Sequence, residues 1–501
     1  YPYTVEYEVE IHYKNTLFFP MWIPQGSEKL SVEHSEVNIV CPPEYEFRYK
    51  AFKFSGVPIV TTEKNKKITT WSAKDMPAIV KEPFGPLWHD VTTVVIFGPS
   101  QFQVGDYKGN MATWQDFGKF VYALKQGRDA LPDDVKQTIH QLINGVSDDK
   151  KKIQLLYEYM QKNTRYISVQ LGIGGWQPFD ATYVATKGYG DCKALSNYMY
   201  SILKEAGIAS YYTLIRAGAT GEYITEDFPS QQFNHVILCV PLKKDTVWLE
   251  CTDQTLPAGY LGDFTCNRYA LLINENGGSL VRTPKYGLTD NVEVRKAKAV
   301  LSDDASLEIQ VNTSYRGLEQ DDIHGLINSL SKDKVKEYLQ KQLDFPTYEL
   351  DKFDYKETKA SIPEVDENLN LYVSNYASIT GKRLFIVPNI MTRSYTKLKT
   401  DEERKYDIVL HDEYKHVDST EIEIPKGYDQ ESLPQPVAIE TKFGRYSSSI
   451  KLVDSKIFYY RTREQYSGTY SAKDYPDLVK FYDAIYKADR NKIVLVKKDG
   501  N

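Results

Sequence analysis

The sequence predicts a multidomain α+β protein: a β-rich first region, a mixed α+β core and a β-rich remainder. Three observations predict it. The chain has 501 residues, more than one hydrophobic core ordinarily serves, so two to four domains are expected. The apolar period is two as far as about residue 110, becomes helical between Thr113 and Gly207, and returns to two past Tyr260. Aromatic residues make up 13% of the chain and 39 of them are tyrosine, a composition that suits sheets.

Charge excludes some functions. The net charge of −6 is small for this length and both signs are interspersed, so there is no nucleic-acid footprint. No apolar run approaches the roughly 18 residues of a membrane span. The chain opens on an alternating pattern, Tyr3, Val5, Tyr7, Val9 and Ile11, with neither an initiator methionine nor a signal-peptide pattern, and further chain is expected to precede it.

Residues 1–128 read as short strands broken by turns, as at Phe84-Gly85-Pro86, and suggest a β-sandwich acting as a binding or docking module. His12, His34 and His89 lack spaced Cys or carboxylate partners, so no metal is expected there. Helices then follow. Thr113 and Asp116 form a capping box ahead of the stripe Trp114, Phe117, Val121 and Leu124. Pro132 opens a second helix carrying Val135, Ile139 and Leu142, and a third carries Ile153, Leu156, Tyr157 and Met160. These stripes are read as core faces. Residues 166–171 read as a strand entering Gly172-Ile173-Gly174-Gly175-Trp176; Gln177 stands where a dinucleotide fingerprint needs its third glycine, so that reading is set aside.

The chemistry centres on Gly188-Tyr189-Gly190-Asp191-Cys192-Lys193. Leu195, Met199, Ile202, Leu203 and Ala206 recur at helical spacing after it, with Gly207 as C-terminal cap, which puts Cys192 in the first helical turn and Asp191 at the N-cap. A thiol there meets the positive helix end, a field that favours thiolate, the nucleophilic form. A lone cysteine is more often a small core hydrophobe, so a base must be found. Residues 234–240 and 246–250 read as a hairpin around Lys243-Lys244-Asp245. Centred on Lys244, its register sets Asp253 opposite His235 and on the same sheet face, the arrangement of a Cys-His-Asp triad. Oxyanion donors are expected from the Cys192 backbone N–H together with Gln170, Trp176 or Gln177, Gln170 being ranked first.

Gly190-Asp191-Cys192-Lys193 at a helix start, Asn234-His235-Val236 on a strand and Asp253 past the next strand resemble the transglutaminase-like superfamily, with its papain-type core. Arg165-Tyr166-Ile167-Ser168 and residues 171–178 further resemble bacterial exported proteins in which an uncharacterised β-rich domain precedes such a core. The resemblance implies Cys192 as nucleophile, His235 as base and Asp253 as its orienting partner, and an extracytoplasmic location. The superfamily includes hydrolases, amide-forming transferases and members without shown activity. The core is placed at 129–275.

Residues 276–501 read as β-rich, in one or two subdomains, with Leu307, Ile309 and Val311 and later Tyr446, Ser448, Ile450 and Leu452 alternating. A helix is expected near 334–343, and another carrying Leu478, Phe481, Tyr482 and Ile485 ahead of a last strand at 493–496. His411 and His416 are five apart rather than the four a zinc helix needs, so 411–416 is read as a polar turn. Cys41, Cys192, Cys239, Cys251 and Cys266 form no disulfide framework; the hairpin brings Cys239 and Cys251 near enough for a bridge, but two separate core thiols are expected.

The expected function is thiol-dependent acyl transfer on peptide or amide carbonyls, with hydrolysis favoured over amine transfer. It needs no cofactor or metal, and the expected partner is a protein or peptide substrate. The alternative is a binding scaffold that keeps the core without its chemistry.

Overall fold

The computed structural model describes residues 3–13, 15–169, 172–218, 224–399 and 403–498. The chain divides into two compact units, one of residues 1–80, 87–254 and 267–283, the other of 81–86, 255–266 and 284–501. The architecture is the expected multidomain α+β one.

The first unit begins with strands β1 (Val32–Cys41), β2 (Phe47–Phe52), β3 (Ile59–Glu63), β4 (Lys66–Met76) and β5 (Val94–Pro99). β1, β4 and β3 form one antiparallel sheet and β2 pairs with β5. Trp71 of β4 is fully buried against Phe97 of β5, ring centres 4.8 Å apart, and so closes two layers around one aromatic core. Residues 3–13 keep the alternating sequence but belong to no strand ladder among the described residues, and Tyr3, Val5, Tyr7, Val9 and Ile11 are all exposed. Alternation puts side chains on one face; a ladder partner is what makes a strand.

Helices α1 (Trp114–Lys125), α2 (Asp133–Ile143), α3 (Asp149–Asn163), α4 (Ala181–Lys187) and α5 (Cys192–Glu205) follow. Thr113 caps α1 as expected, its hydroxyl accepting from Asp116 N at 3.0 Å. Of the expected strand at 166–171, residues 170 and 171 lie outside the described ones; Arg165–Tyr166 pairs with Tyr189–Gly190, and Gly172–Gly175 is a 3₁₀ turn. Five antiparallel strands, β6 (Tyr211–Ile215), β7 (His235–Pro241), β8 (Thr246–Leu249), β9 (Tyr269–Asn274) and β10 (Gly277–Arg282), form a sheet in the order β8-β7-β6-β9-β10. The sequence assigns α1 to the first region, yet α1 packs on this sheet. A Cβ on its Gly118 would stand 1.9 Å from the backbone nitrogen of Gly278 in β10, so helix and strand touch backbone to backbone. That contact makes the first region and the core one unit.

The second unit is built on an eight-stranded sheet. Its strands are β11 (Val292–Leu301), β12 (Leu307–Arg316), β13 (Tyr348–Thr358), β14 (Glu364–Val373), β15 (Tyr414–Glu423), β16 (Val437–Thr441), β17 (Gly444–Val453) and β18 (Lys456–Gln465). They run β13-β14-β12-β11-β15-β18-β17-β16, with β11 and β15 parallel. A four-stranded sheet holds Ile493–Lys497 between Arg383–Ile386 and Tyr428–Ser432, and helices at Lys332–Gln342 and Tyr475–Ala488 match the two expected there. Residues 411–416 are not a turn throughout: His416 lies inside β15. Among the described residues no helix is long and apolar enough to cross a membrane.

Candidate active site

α5 starts where the sequence places it. Asp191 is its N-cap, with extended backbone and a carboxylate accepting from Ala194 N at 3.0 Å, and its other oxygen pairs with the buried Lys193 ammonium. Gly190 allows the approach: a Cβ there would meet the Ala194 Cβ at 2.7 Å. Cys192 is therefore the first helical residue, at the positive end of a helix of 14 residues. One turn on, Ser196 Oγ donates to Val236 O at 3.1 Å, which ties the helix to β7 directly beside His235.

His235 opens β7. Its Nε2 lies 2.9 and 3.0 Å from the two carboxylate oxygens of Glu250, and the Cys192 side chain is close enough to act on the ring's charge. With Nε2 taken by the carboxylate, Nδ1 is the nitrogen left for sulfur. Cys192, His235 and Glu250 are 7, 9 and 3% exposed, so only the rim of the thiol reaches solvent. Burial alone would lower the histidine pKa; the Glu250 carboxylate and then the bond and charge of Cys192 outweigh it and push His235 up to about 10. The ring is cationic at neutral pH.

The carboxylate on His235 is thus Glu250 and not the expected Asp253. Register explains the difference. Leu242 N donates to Asp245 O at 2.7 Å, so the hairpin turns on Lys243-Lys244 alone, and Leu238 pairs with Leu249 and Val240 with Val247. A slip of one residue against the expected pairing moves every side chain to the other face. The ladder stops at Leu238↔Leu249 and the chain then turns, Asp253 N donating to Glu250 O at 3.4 Å, which leaves Glu250 as the carboxylate at His235. Thr252 fixes the acid: its Oγ1 donates to Glu250 Oε1 at 2.6 Å and its N–H at 3.3 Å. α3 holds the same turn, with Tyr157 Oη donating to Glu250 O at 2.5 Å and Gln161 Nε2 to Asp253 O at 3.0 Å. A two-residue reading of the Lys-Lys turn was the signal that would have found Glu250.

The oxyanion candidates fare differently. Gln170 lies outside the described residues. Gln177 is turned into the fold, its Nε2 donating to Tyr107 Oη at 2.8 Å and Leu124 O at 3.1 Å, so both of its donors are committed. Trp176 is half-buried, its ring 5.0 Å from that of Phe18. All five cysteines are free thiols, Cys239 and Cys251 included. Burial pushes Cys239 up to about 12 and Cys251 further, which leaves both as inert core thiols. In the second unit, donor atoms of Glu293, Glu319 and His416 lie within 4.8 Å of one another. Each already has a protein partner: His416 Nε2 sits 2.8 Å from Glu319 and Arg295 lies 3.1 Å from Glu293.

With this geometry in place, comparison with known families is informative. The model of the transglutaminase-like superfamily matches residues 136–252, the stretch that carries Cys192, His235 and Glu250. Residues 136–252 are a transglutaminase-like domain. It is flanked by matches to two domain families of unknown function, DUF3857 over residues 1–80 and DUF3858 over 382–495. A crystal structure from Parabacteroides distasonis, described as a "putative protease", is similar with a TM-score of 0.55 and 12% identity, over 95% of this chain and 75% of that one. At that identity the likeness establishes a shared fold. A second, from Cytophaga hutchinsonii and described as a "putative cysteine protease", has a TM-score of 0.22 and 10% identity, over 48% of this chain and 74% of that one. Comparison with curated proteins finds no significant match. The transglutaminase-like domain supplies helix α5 and strands β6 to β8, and the sheet is completed by β9 and β10 beyond the matched residues.

Proposed function

We propose that the transglutaminase-like domain is a thiol acyl-transfer enzyme acting on peptide or amide carbonyls. The supporting observation is one histidine held at Nε2 by both oxygens of a buried glutamate, with the side chain of Cys192, first residue of α5, acting on the same ring. Cys192 is the nucleophile, His235 the acid and base, and Glu250 the group that orients and charges the ring. The thiolate attacks the carbonyl carbon and forms a C–S bond. The His235 imidazolium gives its proton to the leaving nitrogen as the C–N bond breaks, leaving a thioester and neutral imidazole. Neutral His235 then takes a proton from water; the hydroxide adds to the thioester, the C–S bond breaks, and the thiolate–imidazolium pair is restored. The Cys192 N–H, at the first turn of α5, is the backbone donor for the oxyanion. A scaffold has no need of these three groups in contact, so the catalytic reading is preferred over it.

Water competes with any amine for an open thioester, so hydrolysis is expected to dominate. The test incubates the protein with a library of glutamine-containing peptides and a rising concentration of a primary amine, and mass spectrometry separates backbone cleavage, side-chain deamidation and amine adducts. Hydrolytic products should lead until the amine reaches tens of millimolar or more, and all should vanish in Cys192→Ala. Adducts dominating at low amine would make the enzyme a transferase; products that persist in Cys192→Ala would refute the assignment. As a further part of the proposal, resting on resemblance to exported bacterial proteins, the enzyme works outside the cytoplasm.

A further inference from the structure

Residues 224–234 lead straight into His235 of β7, and β2, β5 and α1 grip them. Arg48 of β2 points its NH2 group at three backbone carbonyls from three separate segments: Pro99 O at 3.1 Å, Met111 O at 2.7 Å and Pro229 O at 2.6 Å. Among the described residues no carboxylate pairs with that guanidinium, so its charge is spent on carbonyl groups, and its plane lies 5.0 Å over the Phe228 ring. Two residues along the same strand, the Lys50 ammonium pairs with Asp227. Trp114, at the start of α1, donates its indole N–H to Glu226 O at 2.6 Å. Phe228 itself is buried with Val94 and Ile96 of β5, and Phe233 packs against Trp114 and Phe117 at 5.5 and 6.4 Å. Gly98 of β5 is close enough that a Cβ there would meet Ser230 at 3.2 Å and Phe228 at 3.3 Å.

Residues 226–230 are thus held at nearly every position from one side. Side-chain bonds within the connection add to this hold. Gln232 bridges Thr225 and Phe228, and Asn234 clasps Ala217 through its N–H and carbonyl at 2.7 and 3.0 Å. The next residue is His235. Its ring must meet sulfur on one side and Glu250 on the other, and a displacement of about 1 Å at a reacting group costs on the order of 10²-fold in rate.

We infer that Arg48, with Lys50 and Trp114, is a positioning clamp for the catalytic histidine, and that the DUF3857 segment in this protein serves catalysis by fixing the loop that enters His235. This rests on the catalytic reading of Cys192 and His235. The role expected from sequence for the first region, a separate docking module, differs from this one: here β2 and the core loop are parts of one constructed wall.

The test uses the full chain and two variants. Arg48→Met keeps the stem over Phe228 and removes every guanidinium donor; Trp114→Phe keeps an aromatic ring and removes the bond to Glu226 O. Hydrogen exchange read by mass spectrometry should quicken at least tenfold in peptides covering 224–234, while peptides of α5 keep their protection. Acylation of Cys192 by a small activated ester should slow by about tenfold or more, and its pH profile should move toward that of His235→Ala, a shift that general loss of stability does not produce. If Arg48→Met does not fold, Trp114→Phe decides. Folded variants with unchanged exchange at 224–234, or with faster exchange and an unaltered acylation profile, would overturn the clamp. A wild-type protein whose Cys192 is indifferent to His235 would refute the catalytic reading instead, and the exchange data would still report whether the loop is clamped.

Discussion

Glu250→Gln is expected to lower the rate of Cys192 acylation by about 10²- to 10⁴-fold, and Asp253→Asn to leave it within about threefold. Both oxygens of Glu250 lie at 2.9 and 3.0 Å from His235 Nε2, so the ring loses its charge partner and its fixed tautomer when the carboxylate becomes an amide. The glutamate is the largest influence raising the His235 pKa, and without it burial pulls the ring toward the neutral form. The imidazolium needed to protonate the leaving nitrogen is then scarce at neutral pH. The Asp253 backbone carbonyl accepts from Gln161, a contact that Asp253→Asn keeps. The measurement is the single-turnover burst with an activated ester, in wild type and both variants. A large loss in Asp253→Asn with little in Glu250→Gln would restore the triad expected from sequence and contradict the register in the structure.

Gly118→Ala is expected to destabilise the first unit by about 3 kcal/mol or more, at the upper end for small-to-large changes in packed sites. The added Cβ would lie 1.9 Å from Gly278 N and 2.4 Å from Gly277 C, which are backbone atoms of a paired strand and cannot rotate away. α1 would have to lift from β10, and the apolar face of Phe117, Val121 and Leu124 would lose its packing with it. Gly174→Ala is the control, since a Cβ there meets nothing within 4 Å. Urea unfolding followed by tryptophan fluorescence should show the transition of Gly118→Ala at much lower denaturant and that of Gly174→Ala near wild type. Equal midpoints would mean that α1 does not rest on the sheet as described.

The helices were legible because their signals are local. Thr113 and Asp191 cap where a Thr or Asp before an apolar stripe should, and the thiol falls at N1 of α5 for that reason. The place of His235 was legible too, since it opens a strand of buried apolar residues where a polar ring needs a reason. Glu250 was not, because the choice between it and Asp253 depends on whether a turn of charged residues holds two positions or three, and Lys-Lys-Asp carries no Gly or Asn to decide it. The unit boundaries were hidden for a different reason. Gly118 reads as an ordinary weak point in a helix, and nothing local announces that it meets a glycine 160 positions later, as Gln115 Nε2 meets Asn276 O in the same contact. The clamp by Arg48 is likewise long-range, joining residues 181 apart.

The proposed catalysis requires that Cys192 draw its reactivity from His235, and a pH series of iodoacetamide labelling tests that directly. Labelled peptides are counted by mass spectrometry for native protein and His235→Ala, with the reagent small enough to reach a thiol that is 7% exposed. Cys192 should label ahead of Cys41, Cys239, Cys251 and Cys266, keep an appreciable rate at mildly acidic pH, and slow there by on the order of tenfold or more in His235→Ala. Slow labelling of Cys192, equal in both proteins across the series, would contradict the catalytic pair and leave the transglutaminase-like domain as a binding scaffold.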